Sequence, residues 1–126
     1  MIEKFVAKVP ARIWEEGRPP RLRVWEGDYN VAAWVRITGA TGPIELRITY
    51  SDEAGDHHAL VDAAEITSDG SALLSGMVKL RFTGQVEQVQ AVLRLGNAGM
   101  HFVVEELYVQ RRGSALSRTD KLISNF

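Results

Sequence analysis

Two glutamates, Glu105 and Glu106, stand side by side within the apolar run HFVVEELYVQRR, 101–112. Paired carboxylates can act as general acid and base, or can hold a hard cation such as calcium. To cleave a glycosidic bond, both must face that bond from about 5–10 Å apart. The run reads as a strand, and neighbours i and i+1 on a strand point to opposite faces. The two carboxylates therefore cannot converge on one substrate unless a bulge rotates the strand. Glu105 shares its parity with Val103, Leu107 and Val109 and is expected to face the interior or its rim. A carboxylate placed there needs a partner. A basic side chain in a salt bridge is the first expectation and a calcium ion the second.

Other chemistry-bearing residues are sparse. His57 and His58 adjoin in a turn, near Asp52, Glu53 and Asp56. Their spacing matches no metal loop, and the two rings should point apart, as befits a solvated hairpin tip. His101 stands alone. No Gly-rich phosphate loop and no Gly-x-Ser-x-Gly elbow is present. The chain has no cysteine, which excludes disulfides, thiol catalysis and zinc–thiolate sites. Trp34 differs from these, because it falls on the polar face of its segment with Arg36 and Thr38. An outward indole can stack on a sugar ring or anchor a protein partner. Trp14 and Trp25 are expected to pack at the edge of the core.

The elements that position these residues show a period of two. Tyr29, Val31, Ala33, Val35 and Ile37 alternate with Asn30, Ala32, Trp34, Arg36 and Thr38. Ile44, Leu46, Ile48 and Tyr50 alternate with Glu45, Arg47 and Thr49. Leu74, Val78, Leu80 and Phe82 alternate with Ser75, Lys79 and Arg81. Val89, Ala91, Leu93 and Leu95 alternate with Gln88, Gln90 and Arg94. One apolar face at period two marks a half-buried strand. The intervening GATG, SDEAGD, TSDGS, TGQ and GNAGM are turn chemistry. Further strands are expected at 21–26 and 58–66, about eight in all. Such spacing predicts an all-β fold, an antiparallel β-sandwich of jelly-roll type.

The bulk numbers agree with a single soluble domain. The chain has 126 residues, 45% hydrophobic and 25% charged, with a net charge of -1. That charge offers no electrostatic footprint for nucleic acid. No window approaches the ~20 apolar residues of a membrane span. Glu3, Lys4, Lys8 and Arg12 break the N-terminal apolar runs, so no classical signal peptide is legible and a cytoplasmic or virion location is expected. Residues 1–20 read as an N-terminal strand or arm, 21–112 as the sandwich and 113–126 as a tail. The tail carries Leu116, Leu122, Ile123 and Phe126, more apolar than a solvating tail needs. It is expected to dock on a partner.

The order of features from Gly27 onward, GDYNVAAWVRITG, IELRITYSDEAGDHH, EITSDG, LLSGMVKL and VEQVQAVLRLGNAGMHFVVEELYV, resembles carbohydrate-binding modules of families 4, 9 and 22. The likeness spans residues ~24–111 and lies in pattern rather than rare motifs. It implies a jelly-roll sandwich and, more weakly, a glycan ligand. Such modules usually have an aromatic residue where Ser71 and Ala72 stand. Adjacent aspartates, one of them helping to hold a structural calcium, occupy the positions of Glu105 and Glu106. The family's first strand is not recognisable in residues 1–14.

Two functions follow as leading expectations. One is a non-catalytic structural or interaction module within a larger assembly, such as a decoration protein of a phage particle, with protein partners or copies of itself. The other is a glycan-binding module that takes polysaccharide on Trp34, Arg36, Glu45, Arg47 and Thr49. No catalytic residues are nominated, and calcium at Glu105 is the one cofactor considered.

Overall fold

A computed structural model describes residues 1–15, 23–113 and 121–124. Eight strands and one helical turn follow in order: β1 (Ile2–Lys8), α1 (Ala11–Trp14), β2 (Val24–Thr38), β3 (Gly42–Asp52), β4 (Gly55–Ile66), β5 (Gly70–Thr83), β6 (Glu87–Leu95), β7 (His101–Arg111) and β8 (Lys121–Ser124). They form two four-stranded antiparallel sheets, β1-β6-β3-β4 (sheet A) and β5-β2-β7-β8 (sheet B). From β2 to β3, and from β4 through to β7, each connection crosses between sheets, the jelly-roll manner of wrapping an antiparallel sandwich.

The alternation builds the core. Tyr29, Val31, Ala33, Val35 and Ile37 of β2 face Ile44, Leu46 and Ile48 of β3 and Leu93 and Leu95 of β6, all of them buried. Trp14 and Trp25 close one end around Phe82, with ring centroids 5.5 and 5.2 Å from it. The Tyr29 hydroxyl donates to the Trp14 carbonyl at 3.0 Å and ties α1 to β2.

At the N-terminus the strand-or-arm reading resolves to a strand, and at the C-terminus part of the tail pairs with the sandwich. Residues 2–8 are a paired strand, matched to β6 from Ile2↔Leu95 to Lys8↔Gln90, so a first strand exists after all. It was hidden because Glu3 and Lys4 interrupt its alternation, and because an edge strand buries little. Val9, Ile13 and Trp14 belong to the core. At the other end, Leu122 and Ile123 pack against the chain's own core as β8 pairs with β7. Their docking partner is therefore the sandwich itself. Leu116 and Phe126 lie outside the described residues.

The two sheets are joined along their β4 and β5 edges. A bulge at Val61 (Leu46 pairs with Asp62, Arg47 with Leu60) turns both Val61 and Asp62 toward β5. The Asp62 carboxylate accepts the Ser75 N–H at 3.0 Å. The Val61 carbonyl presses on Gly76 so closely that a Cβ there would collide with it.

Candidate functional site

The outer face of sheet B carries four exposed large apolar residues, Trp34, Leu73, Met77 and Val103. Trp34 sits mid-strand on β2, flanked by β5 and β7, and is 42% exposed. Leu73 lies directly across on β5 and Glu106 across on β7. Met77 and Val103, like Leu73, are about half exposed. Ala32 and half-buried Tyr108 are paired beside Trp34 and complete the surface. Large apolar side chains left in water forgo roughly 1.5–3 kcal/mol each that burial would supply. Clusters of them mark interaction sites.

Leu73, Met77 and Val103 were not singled out in the sequence. Their signal was parity: Leu73 and Met77 share the outward parity of Ser75, Lys79 and Arg81, where polar residues are the rule.

The paired glutamates border this surface, and their geometry corrects the expectation. The β2–β7 register shifts between Trp34 and Val35: Trp34 pairs with Glu106, Val35 with Val104, and Glu105 is the extra residue of a bulge. Inward parity passes from Val104 to Leu107 and Val109, which are buried, while Val103 is exposed. Glu105 therefore does not face the core. Both carboxylates lie on the outer face, and each meets a base.

Glu105 Oε1 lies 3.1 Å from Arg36 Nε and accepts the Ser71 hydroxyl at 3.2 Å. Glu106 Oε1 lies 3.0 Å from Lys121 Nζ. Lys121 also hangs 5.3 Å from the centroid of the Tyr108 ring. Hydrogen bonds to Glu106, then to Tyr108, raise the lysine above its ordinary value. The partner Glu105 requires is thus a guanidinium. Calcium takes six to eight oxygens, and the contacts of the Glu105 carboxylate are the Arg36 guanidinium and the Ser71 hydroxyl. Among the described residues, no three acidic or histidine side chains gather where a metal could sit.

Glu45, Arg47 and Thr49 do not join Trp34 and Arg36. They lie on the outer face of sheet A, on the far side of the sandwich, because β3 and β2 belong to different sheets. Glu45 Oε1 is 2.8 Å from Arg47 Nε and 3.9 Å from Arg94 Nη1. Arg47 is also in register with Val92, which is buried although it faces outward, and Phe5 flanks Val92 on β1. These arginines cover an apolar strand position with their stems.

A third cluster forms at the β3–β4 turn. The Asp52 side chain is shielded from solvent; its Oδ1 is 2.9 Å from His57 Nε2 and accepts the Ala54 N–H, and its Oδ2 accepts the Thr83 N–H of β5 at 3.0 Å. Burial by itself would raise this carboxyl. Hydrogen bonds from His57, Thr83 and Ala54, with the charge of His57, outweigh burial and hold it below the usual aspartate value. His57 stacks on Tyr50, with centroids 4.8 Å apart. The Tyr50 hydroxyl donates to the Arg81 carbonyl and accepts the Arg81 N–H. Burial raises its pKa, the Arg81 bond opposes that rise, and the Asp52 charge adds to it.

His57, Ser51 and Asp56 border a shallow cavity of about 240 Å³. An Asp–His pair beside a serine invites comparison with a hydrolytic triad. The Ser51 hydroxyl, however, donates to Asp56 at 2.6 Å. The Asp52–His57 pair is spent on joining β3 to β4 and β5.

No family model matches the chain, and neither does any curated protein or solved structure.

Proposed function

We propose that this protein is a non-catalytic interaction module of a larger assembly, and that it engages a protein partner through the outer face of sheet B around Trp34. The supporting observation is the exposed row Leu73–Trp34, extended by Met77 and Val103, in the middle of sheet B. Flanking charges are already paired, Arg36 with Glu105 and Glu106 with Lys121. A partner can cover this face without stranding a charge. A particle surface, such as that of a phage, is the proposed setting, since a small sandwich can coat a neighbouring subunit without changing shape.

A photo-crosslinking residue at position 73 in the producing cell tests this. A discrete adduct with one identified protein is expected, with none from a probe at the exposed Glu65 of sheet A. Equal labelling from both positions, or none from either, defeats the reading.

Glycan binding is the second reading, favoured by one feature: Trp34 stands beside Arg36, Glu105 and Glu106, which could bond sugar hydroxyls around a stacked ring. It predicts retention of the wild type on an insoluble polysaccharide gel and loss of retention in Trp34→Ala.

A further inference from the structure

We propose that two copies of this chain pair along the outer edge of β1, joining their sheets A into one continuous antiparallel sheet. Among the described residues, β1 is bonded on one side only, to β6. Its other edge presents backbone N–H and C=O groups outward, a template for another strand. Three of the exposed apolar residues lie on or next to this strand: Met1, Ile2 and Phe5, the last 61% exposed. The opposite edge of the sheet, β4, is instead bonded to β5 through Asp62, and Asp52 at the end of neighbouring β3 bonds β5 as well.

The charges on β1 select a second copy as the occupant. Glu3, Phe5 and Lys8 all point to the outer face, opposite Arg94, Val92 and Gln90. Five steps separate Glu3 from Lys8, which in a regular strand would put them on opposite faces. The bulge between Phe5 and Ala7 adds one residue and returns Lys8 to the face of Glu3.

Two β1 strands laid antiparallel about an axis between Phe5 and Val6 therefore set Glu3 against Lys8 of the partner subunit, twice, with the two Phe5 rings adjacent. Parallel strands would set like charges together. The edge is thus complementary to itself in one orientation, as a two-fold contact requires. Lys4 faces the inner side, opposite Leu93, yet is exposed. The antiparallel arrangement places it across from Ala7 of the partner subunit and leaves its ammonium in water.

This contact does not involve the Trp34 face and is tested apart from it. Sedimentation equilibrium of the full chain over a wide concentration range should show a monomer–dimer equilibrium. Each of Glu3→Lys and Lys8→Glu should weaken the dimer roughly tenfold, since two attractive cross-strand pairs become repulsive. The double variant Glu3→Lys/Lys8→Glu should return to near the wild-type constant. Circular dichroism of each variant confirms that the sandwich is folded. A wild type that stays monomeric throughout overturns the proposal. So does a dimer indifferent to both single changes, one not recovered in the double variant, or one abolished by Trp34→Ser.

Discussion

The two long sides of the sandwich are built differently. On the β4–β5 side, side chains from one sheet satisfy backbone groups of the other: Asp62 takes the Ser75 N–H, Tyr50 takes the Arg81 N–H, and Asp52 takes the Thr83 N–H. The turn adds Glu53, whose carboxylate accepts the Gln85 N–H and folds over Gly84, a residue at φ 67° that leaves no room for a Cβ. On the β1–β8 side, no such bonds are found among the described residues. β8 is four residues long, and β1 keeps exposed apolar residues. An edge strand invites pairing with another chain. Among the described residues one side is closed against that and the other is open, which is why the open side, and not the zipped one, carries the self-pairing proposal.

The contrast can be broken from its strong side. Asp52→Ala removes bonds to His57, Ala54 and Thr83 at once and leaves the part-buried His57 and Thr83 donors without it; it should cost about 2 kcal/mol, read as a lowered urea midpoint. Gly76→Ala forces the Val61 carbonyl away from β5 and should cost about 2 kcal/mol in the same measurement. Tyr50→Phe strands both the N–H and the carbonyl of Arg81 and should cost about 1 kcal/mol.

Acid sharpens the same comparison. The Asp52 carboxyl is held below its unfolded value, so its contribution is fully present above about pH 4 and fades as pH falls through the folded value. Urea midpoints measured downward from pH 6 should therefore fall at the acid end. Asp52→Asn should fall less steeply, and a parallel fall would remove Asp52 from the account. The smallest stability effect belongs to the exposed face: Trp34→Ser should change the midpoint by less than about 0.5 kcal/mol while abolishing partner binding.

Much of this architecture was legible in advance. Every residue that the alternation places inward in β2, β3, β5 and β6 is buried, because a regular strand shows its faces at period two, while outward-facing Val92 is buried as well. β7 was misread at one point. A bulge adds a residue without any mark in composition, so Glu105 moved from the expected interior to the outer face beside Arg36. For β1 the sequence leaves strand and arm as alternatives, because its mostly unburied side chains carry no alternation to decide between them. The candidate set Trp34, Arg36, Glu45, Arg47 and Thr49 was divided because polar parity tells which residues leave the core, not which of two sheets they leave from.

By itself, then, the sequence determined the all-β class, the inward faces of β2, β3, β5 and β6 and the outward Trp34, since these are local properties of alternation and turn chemistry. Only the tertiary structure decided which outward residues share a surface, which base meets Glu105, and which edge stays open. Those depend on register, bulges and strand order, and they arise when segments distant in sequence compete for the same backbone partners.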